Sequence, residues 1–282
     1  MYLGSPPRSR LHEALFGTDV SIFDDLPVGI GRIVARGIFG VADVDGAIHE
    51  WTTFPYYAHF APIVRVREAA RRMEDTGQWP HEVLGCGTAA PARLRFCRSC
   101  RADMLEQQPD AWWRRTHQLP STLVCPDHGE TLFDSMVTRQ RRRTSYVAAT
   151  AEECSLESPV VGAIDGAEAS SDLLLLARAG DILLDERCDT DPDDRREIYL
   201  QRLNDLGMLN RVGEAKLSAV AHLVGARWSR SLGYWPGLVR DGQCAQGWLW
   251  TLLLGDHNSP ALHHLLFDGA IAWAESKRSR RT

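Results

Sequence analysis

The chain has 282 residues, 44% of them hydrophobic and 24% charged, an ordinary globular composition that excludes wholesale disorder. Its length suits one large domain or two to three small ones. The formal net charge of −5 excludes a wholly basic nucleic-acid coat, and no apolar run reaches the roughly 18 residues of a transmembrane helix. Met1–Pro6 has neither a basic nor an apolar leader segment. The seven cysteines (Cys86, Cys97, Cys100, Cys125, Cys154, Cys188 and Cys244) are an odd set, expected as reduced thiols of a cytoplasmic protein without membrane partners. Only Lys216 and Lys277 are lysines; every other basic side chain is arginine.

Residues 1–90 read as short helices with strong punctuation. Pro6-Pro7 opens a segment with Leu11, Ala14 and Leu15 on one face and Gly17 at its end. Asp25-Leu26-Pro27 precedes Ile30, Ile33 and Val34 at helical spacing. Ile48–Tyr57 is aromatic-rich and broken by proline. Pro62 starts a helix with Val66, Ala69, Ala70 and Met73 in register, stopped near Gly77, and Gly85–Ala92 has the composition of a linker.

The next segment, 91–143, differs in kind. It carries ten arginines against six carboxylates, so positive charge is concentrated here. Cys97-Arg98-Ser99-Cys100 is C-x2-C and Cys125-Pro126-Asp127-His128 is C-x2-H. Two-residue spacing lets both side chains of a tight turn address one ion, and thiolates with imidazole suit tetrahedral zinc. A redox C-x2-C would explain neither the second half nor the surrounding arginines. Cys97, Cys100, Cys125 and His128 are therefore the expected ligands of one zinc ion. Four protein ligands leave no position for an activated water, so the role is structural rather than catalytic. His117 competes with His128 as fourth ligand, but it stands eight residues before Cys125 and reads as a packed or hydrogen-bonded histidine. The remaining cysteines lack partners at ligand spacing and read as small buried residues.

Residues 144–171 are an irregular connector by composition, and 172–282 a helical region. Asp172–Leu184 is an apolar run. Asp181–Glu197 is acidic, which capping and solvation explain better than a magnesium-dependent nuclease site. Asp191-Pro192-Asp193-Asp194 is a helix start, with Asp191 as cap and Pro192 in the first turn. Tyr199, Leu203 and Leu206 continue it to Gly207. After Met208–Gly213, Leu217, Val220, Ala221, Val224 and Trp228 make an apolar helical stripe. The two helices fit either a DNA-binding helix-turn-helix or a plain bundle hairpin. A last helix from Pro260 ends in Lys277, Arg278, Arg280 and Arg281. None of the common nucleotide-binding, metallopeptidase, serine-hydrolase or deaminase motifs is present. The expected fold class is mainly α, with a small helical N-terminal region, a central zinc-knuckle domain and a helical C-terminal domain holding a helix-turn-helix-like hairpin.

Three blocks in order, Leu94–Cys100, Trp112–Pro120 and Val124–Gly129, closely resemble the zinc-binding signature of the TniQ family: an aromatic before C-x-x-C, a W-R-R-x-H-Q-L-P run and V-C-P-x-H-G. The resemblance extends to the TnsD-like branch through Thr52–Tyr57 with Phe60, Tyr199–Gly207 and Ser259–Leu266, and so over nearly the whole chain. It implies a non-enzymatic protein that selects the insertion site of a transposon. Such proteins bind target DNA, or an RNA-guided CRISPR effector complex, and recruit an AAA+ ATPase regulator and the transposase. The family's usual first helix has no counterpart at Tyr2–Pro6, and a second knuckle found in relatives has only Cys154 to build it.

Candidate nucleic-acid contacts are Arg114 and Arg115 beside the knuckle, the run Arg139, Arg141, Arg142 and Arg143, and Lys216, Arg227 and Arg230 on and after the second helix of the hairpin. Carboxylate pairing of Arg114 and Arg115, with Trp112 and Trp113 packed under the knuckle, is the alternative. A protein-interaction module bridging a CRISPR effector complex to the transposition machinery, without DNA affinity of its own, is the rival function.

Overall fold

The computed structural model describes residues 25–37, 43–75, 78–85, 91–139, 147–161, 167–186, 192–235, 237–254 and 259–280. The predicted helix at Leu11–Leu15, Cys86, Cys188, Asp191 and Arg141–Arg143 lie outside the described residues.

The architecture is mainly helical. The N-terminal region comprises α1 (Ile30–Ala35), α2 (Val44–Trp51), α3 (Phe54–Ala58), α4 (Ile63–Glu74) and α5 (Pro80–Leu84). Asp43 caps α2 by accepting the Gly46 amide at 2.6 Å. Prolines stand in the first turns of α3 and α5, where a missing N–H costs nothing. α4 begins after Pro62 and buries Ala69 and Met73, as the spacing predicts. Asp25 does not cap α1, which starts at Ile30. Instead it is buried, accepting the Leu26 amide at 3.0 Å and meeting His81 Nε2 at 2.9 Å and Arg139 at 3.5 Å. Burial pushes the Asp25 carboxyl upward, but His81 and Arg139 outweigh it and hold the pKa below the usual carboxylate value.

The central segment is built on β1 (Arg93–Phe96) antiparallel to β2 (Phe133–Thr138), with α6 (Arg98–Gln107) leaving the end of β1. A short 3₁₀ turn, Thr116–Gln118, flanks β1. Its Gln118 side chain clamps Arg95 like a strand neighbour, accepting the Arg95 amide at 3.0 Å and donating to the Arg95 carbonyl at 2.9 Å. Within the stretch read as an irregular connector, the described residues 147–161 are tied down: the amides of Asp134, Met136 and Val161 donate to Pro159, Glu153 and Leu132 carbonyls at 2.8–2.9 Å. Backbone hydrogen bonds of this kind need no sequence periodicity, which is why composition missed them.

The C-terminal region comprises α7 (Ala167–Asp185), α8 (Pro192–Asp205), α9 (Leu217–Arg227), the hairpin strands β3 (Val239–Arg240) and β4 (Gln243–Cys244), α10 (Gln246–Leu254) and α11 (Ala261–Ser279). α7 starts earlier than the apolar run beginning at Asp172 suggests. α9 carries the predicted stripe, with Val220, Ala221 and Val224 buried and Trp228 just past its end. Residues 206–216, between α8 and α9, fold back through a Leu209–Ala215 bridge, and Lys216 Nζ donates to the Gly207 carbonyl at 3.1 Å. Gly207, at φ +73°, takes the left-handed conformation that ends α8.

α7 joins the parts. Leu183 and Leu184 enter an N-terminal core around Leu26, Phe54, Tyr56 and Met73. Leu173 and Leu176 enter a larger core that runs from Cys97, Cys100 and Cys125 to Leu203, Val220, Leu249 and Phe267. The Trp112–Pro120 block spans the same junction. Arg115 donates to the His49 and Thr52 carbonyls and pairs with Asp185 at 2.9 Å, Thr116 bonds Asp181, and Trp235 Nε1 donates to the Pro120 carbonyl at 2.8 Å. Two carboxylates of the acidic stretch are thus internal partners.

Candidate metal centre

The two ligand turns close in the same way. Cys97 follows β1 and caps α6, its sulfur accepting the Cys100 amide at 3.3 Å. Cys125 occupies the matching place in the second turn, its sulfur accepting the His128 amide at 3.5 Å. Gly129, at φ +68°, turns the chain so that its amide reaches the Cys125 carbonyl at 2.8 Å, and the Cys125 amide returns to Glu130 O at 2.8 Å. A Cβ-bearing residue would be strained at Gly129.

These turns bring Cys97, Cys100, Cys125 and His128 together, with one ligand atom from each lying within 4.8 Å of all the others. His128 Nδ1 lies 3.5, 3.3 and 3.6 Å from the sulfurs of Cys97, Cys100 and Cys125, and the Cys100 and Cys125 sulfurs are 3.5 Å apart. The three cysteines are buried while His128 faces solvent. Three thiols and an imidazole converging on one point can hold a metal ion. His117 is buried beside the group, with Nε2 3.9 Å from the Cys100 sulfur, and is not part of it.

A set of outer partners orients these ligands. His128 Nε2 pairs with Asp103 at 3.2 Å, leaving Nδ1 to face the sulfurs. Arg114 donates to the Cys100 sulfur at 3.0 Å and pairs with Asp127. Glu130 Oε1 lies 2.7 Å from the Cys97 sulfur and accepts the Ser99 amide at 3.1 Å. Contact with the Cys125 sulfur pushes the Cys100 thiol up to about 11, the response of sulfurs that cannot all ionise side by side. That same sulfur raises the His128 pKa, with Asp103 and Glu130 adding to it. Sequence reading missed Asp103, although its place three residues after Cys100 sets it on the ligand face of α6.

The arginines singled out as nucleic-acid contacts divide sharply. Arg114 is engaged at the metal centre, Arg115 with Asp185 and two carbonyls, Arg139 with Asp25, and Arg227 with Asp172. Lys216 and Arg230 are exposed. Of the two tryptophans expected under the knuckle, Trp112 is 50% exposed. Trp113 packs on a small cluster of Phe96, Ala111, Ala149 and Cys154, donating to the Val147 carbonyl at 2.6 Å.

The other blocks of the resemblance meet elsewhere. Phe60 stacks on His264 with centroids 4.1 Å apart, His264 Nδ1 lies 2.9 Å from the Tyr199 hydroxyl, and that hydroxyl donates to Asp268 at 3.0 Å. Arg202 joins them by pairing with Asp268 and Glu275. Segments far apart in sequence thus share one buried polar cluster.

Comparison with known proteins places the metal centre inside a recognised segment. Residues 43–132 match the family described as TniQ. The chain is also similar to the Transposon Tn7 transposition protein TnsD of Escherichia coli, 34% identical over 133 residues. That stretch is 45% of this chain and 26% of the relative, so the chain spans about a quarter of the length of the curated relative it matches. Both matches are shorter than the resemblance read from the sequence. Among the described residues, no helix is long and apolar enough to cross a membrane.

Proposed function

We propose that this chain, a TniQ-family protein by the segment 43–132, is a non-catalytic target-site selection adaptor of a DNA transposon, with one structural zinc ion holding its central segment. The observation that carries the reading is the Cys97, Cys100, Cys125 and His128 group lying wholly within the TniQ match. Zinc fits the donor set. Tetrahedral bonds of about 2.3 Å to sulfur and 2.0–2.1 Å to nitrogen put sulfur about 3.5 Å from nitrogen, and the separations here are 3.3–3.6 Å. With four protein ligands the ion has no vacant position for water or substrate, so it braces the fold rather than performing chemistry.

The adaptor would bind target DNA and recruit an AAA+ ATPase regulator and the transposase. The test is a targeted-insertion assay with the transposon ends, transposase and ATPase present. Insertion at the chosen site should require this chain and fail with Cys125→Ser, whereas insertion that proceeds at the same site without the chain overturns the reading. A second reading, an interaction module delivered by a CRISPR effector complex, draws support from the internal pairing of Arg114, Arg115, Arg139 and Arg227. Binding to random duplex separates the two: the adaptor binds with a steep salt dependence and the module does not bind.

A further inference from the structure

The Trp112–Pro120 block carries two adjacent arginines that diverge in the structure. Arg115 turns to α7, pairing with Asp185 at 2.9 Å, and to the His49 and Thr52 carbonyls. Arg114 turns to the metal centre, where its Nη1 donates to the Cys100 sulfur at 3.0 Å and also to Asp127. Those two partners belong to different halves of the centre. Cys100 closes the C-x2-C turn, and Asp127 stands inside the C-x2-H turn between Cys125 and His128. One nitrogen, with a hydrogen for each partner, therefore spans both turns. The Arg114 side chain is 26% exposed, so solvent screens this contact only in part.

Charge makes the contact more than a brace. Three thiolates and a neutral imidazole around a zinc dication leave a single negative charge in excess. The carboxylates of Asp103 at His128 and Glu130 at Cys97 add to it. The arginines of α6, closest in sequence to the first ligand pair, are engaged elsewhere. Arg98 donates to the Leu156 carbonyl and lies over the Phe133 ring, and Arg101 donates to the Ala149 carbonyl. The guanidinium of Arg114 does reach a ligand sulfur. We propose that Arg114 is a positioning residue of the metal centre, offsetting the excess negative charge at Cys100 and clamping the two ligand turns onto one ion. This role rests on the reading of the centre as a structural zinc site. A cation donating to a sulfur draws electron density from it, so the same contact makes Cys100 a poorer nucleophile. Held in this way, Arg114 serves the ion rather than a phosphate.

The test uses the full chain loaded with zinc. Arg114→Met keeps a long side chain and removes the charge, whereas Arg114→Lys keeps the charge. Zinc affinity, from competition with a chromogenic chelator, should fall about tenfold in Arg114→Met and recover in part in Arg114→Lys. Zinc release under iodoacetamide, whose iodide the cysteine sulfur displaces, should be about tenfold faster in Arg114→Met. In chains loaded with cobalt(II) instead, the sulfur-to-metal absorption bands should shift in Arg114→Met and return toward wild type in Arg114→Lys. Arg115→Ala gives the comparison for stability alone: it should lower Tm through loss of Asp185 and the two carbonyls, and leave the bands in place. Unmoved bands with wild-type zinc affinity in Arg114→Met overturn the proposal and leave the zinc reading standing. An affinity lowered equally by both Arg114 substitutions, with Tm lowered and the bands unmoved, makes Arg114 a packing residue and also overturns it. A wild-type chain that holds no zinc overturns the zinc reading, and the role of Arg114 with it.

Discussion

The metal centre and the cluster around His264 use the same residue type to opposite ends. At the metal centre, His128 is exposed and its basicity is raised by the neighbouring Cys125 sulfur. In the cluster, burial holds His264 well below the usual histidine value, and burial likewise brings His59 and His263 down to about 4. One region gathers anionic donors around a point that needs a cation; the other satisfies its carboxylates with arginines already present and keeps its imidazoles neutral. Asp268 shows the balance: burial raises its carboxyl pKa although Tyr199 and Arg202 pull the other way. Imidazole takes its role from what surrounds it, so a histidine in a motif is not thereby a ligand.

The largest effect that could break this contrast comes from the metal. Cys125→Ser, or chelation of the intact chain, should remove the ion and several kcal/mol of stability, lowering Tm on the order of 10 °C. The loss should extend beyond the knuckle, because Cys125 lies in the same core as α7–α11. Elemental analysis and a thermal melt measure it; a chelated chain that melts at the unchanged temperature would show the centre to be energetically separate.

The neutral histidines should give the next largest effect. Their folded pKa lies below the unfolded value of 6.5, so between pH 6.5 and about 4 the unfolded chain binds more protons. Their contribution is complete above pH 6.5 and is lost as pH falls through that window, up to about 3 kcal/mol for His263. Urea midpoints at several pH values should therefore fall on acidification, and less steeply in His263→Gln. Equal slopes would mean that His263 titrates normally in the folded chain.

Tyr199→Phe sharpens the same side of the comparison. Removing the hydroxyl strips His264 Nδ1 and Asp268 of a shared partner and should cost about 1–3 kcal/mol without altering metal content. On the metal side, Asp103→Asn should weaken metal affinity about tenfold through the His128 ring, with the fold retained. Competition with a chromogenic chelator would detect it. The smallest effect on the metal belongs to His117→Ala: this buried histidine lies 3.9 Å from the Cys100 sulfur, and its loss should leave metal stoichiometry unchanged. A fall in stoichiometry there, with His128→Ala retaining metal, would exchange their roles.

What the sequence by itself determined is local. A C-x2-C and a C-x2-H each dictate a turn whose ligands face one way, because the amide three residues on folds back to the first sulfur in both halves. Helical spacing likewise exposed α4, α8 and α9, since each buries a stripe against a neighbour. Tertiary structure alone decided which charges remain available. Arg115 and Arg211 are equally basic on paper, yet one is spent on Asp185 seventy positions away and the other is exposed on the 206–216 connection. It also decided that Phe60, Tyr199 and His264 share one cluster, and that Asp25 is a buried partner of Arg139. Turns and stripes are set by bonds spanning three or four residues, which a sequence displays directly. Ion pairs and polar clusters depend on where α7 and the Trp112–Pro120 block carry distant segments, and that path follows from the packing of the whole core.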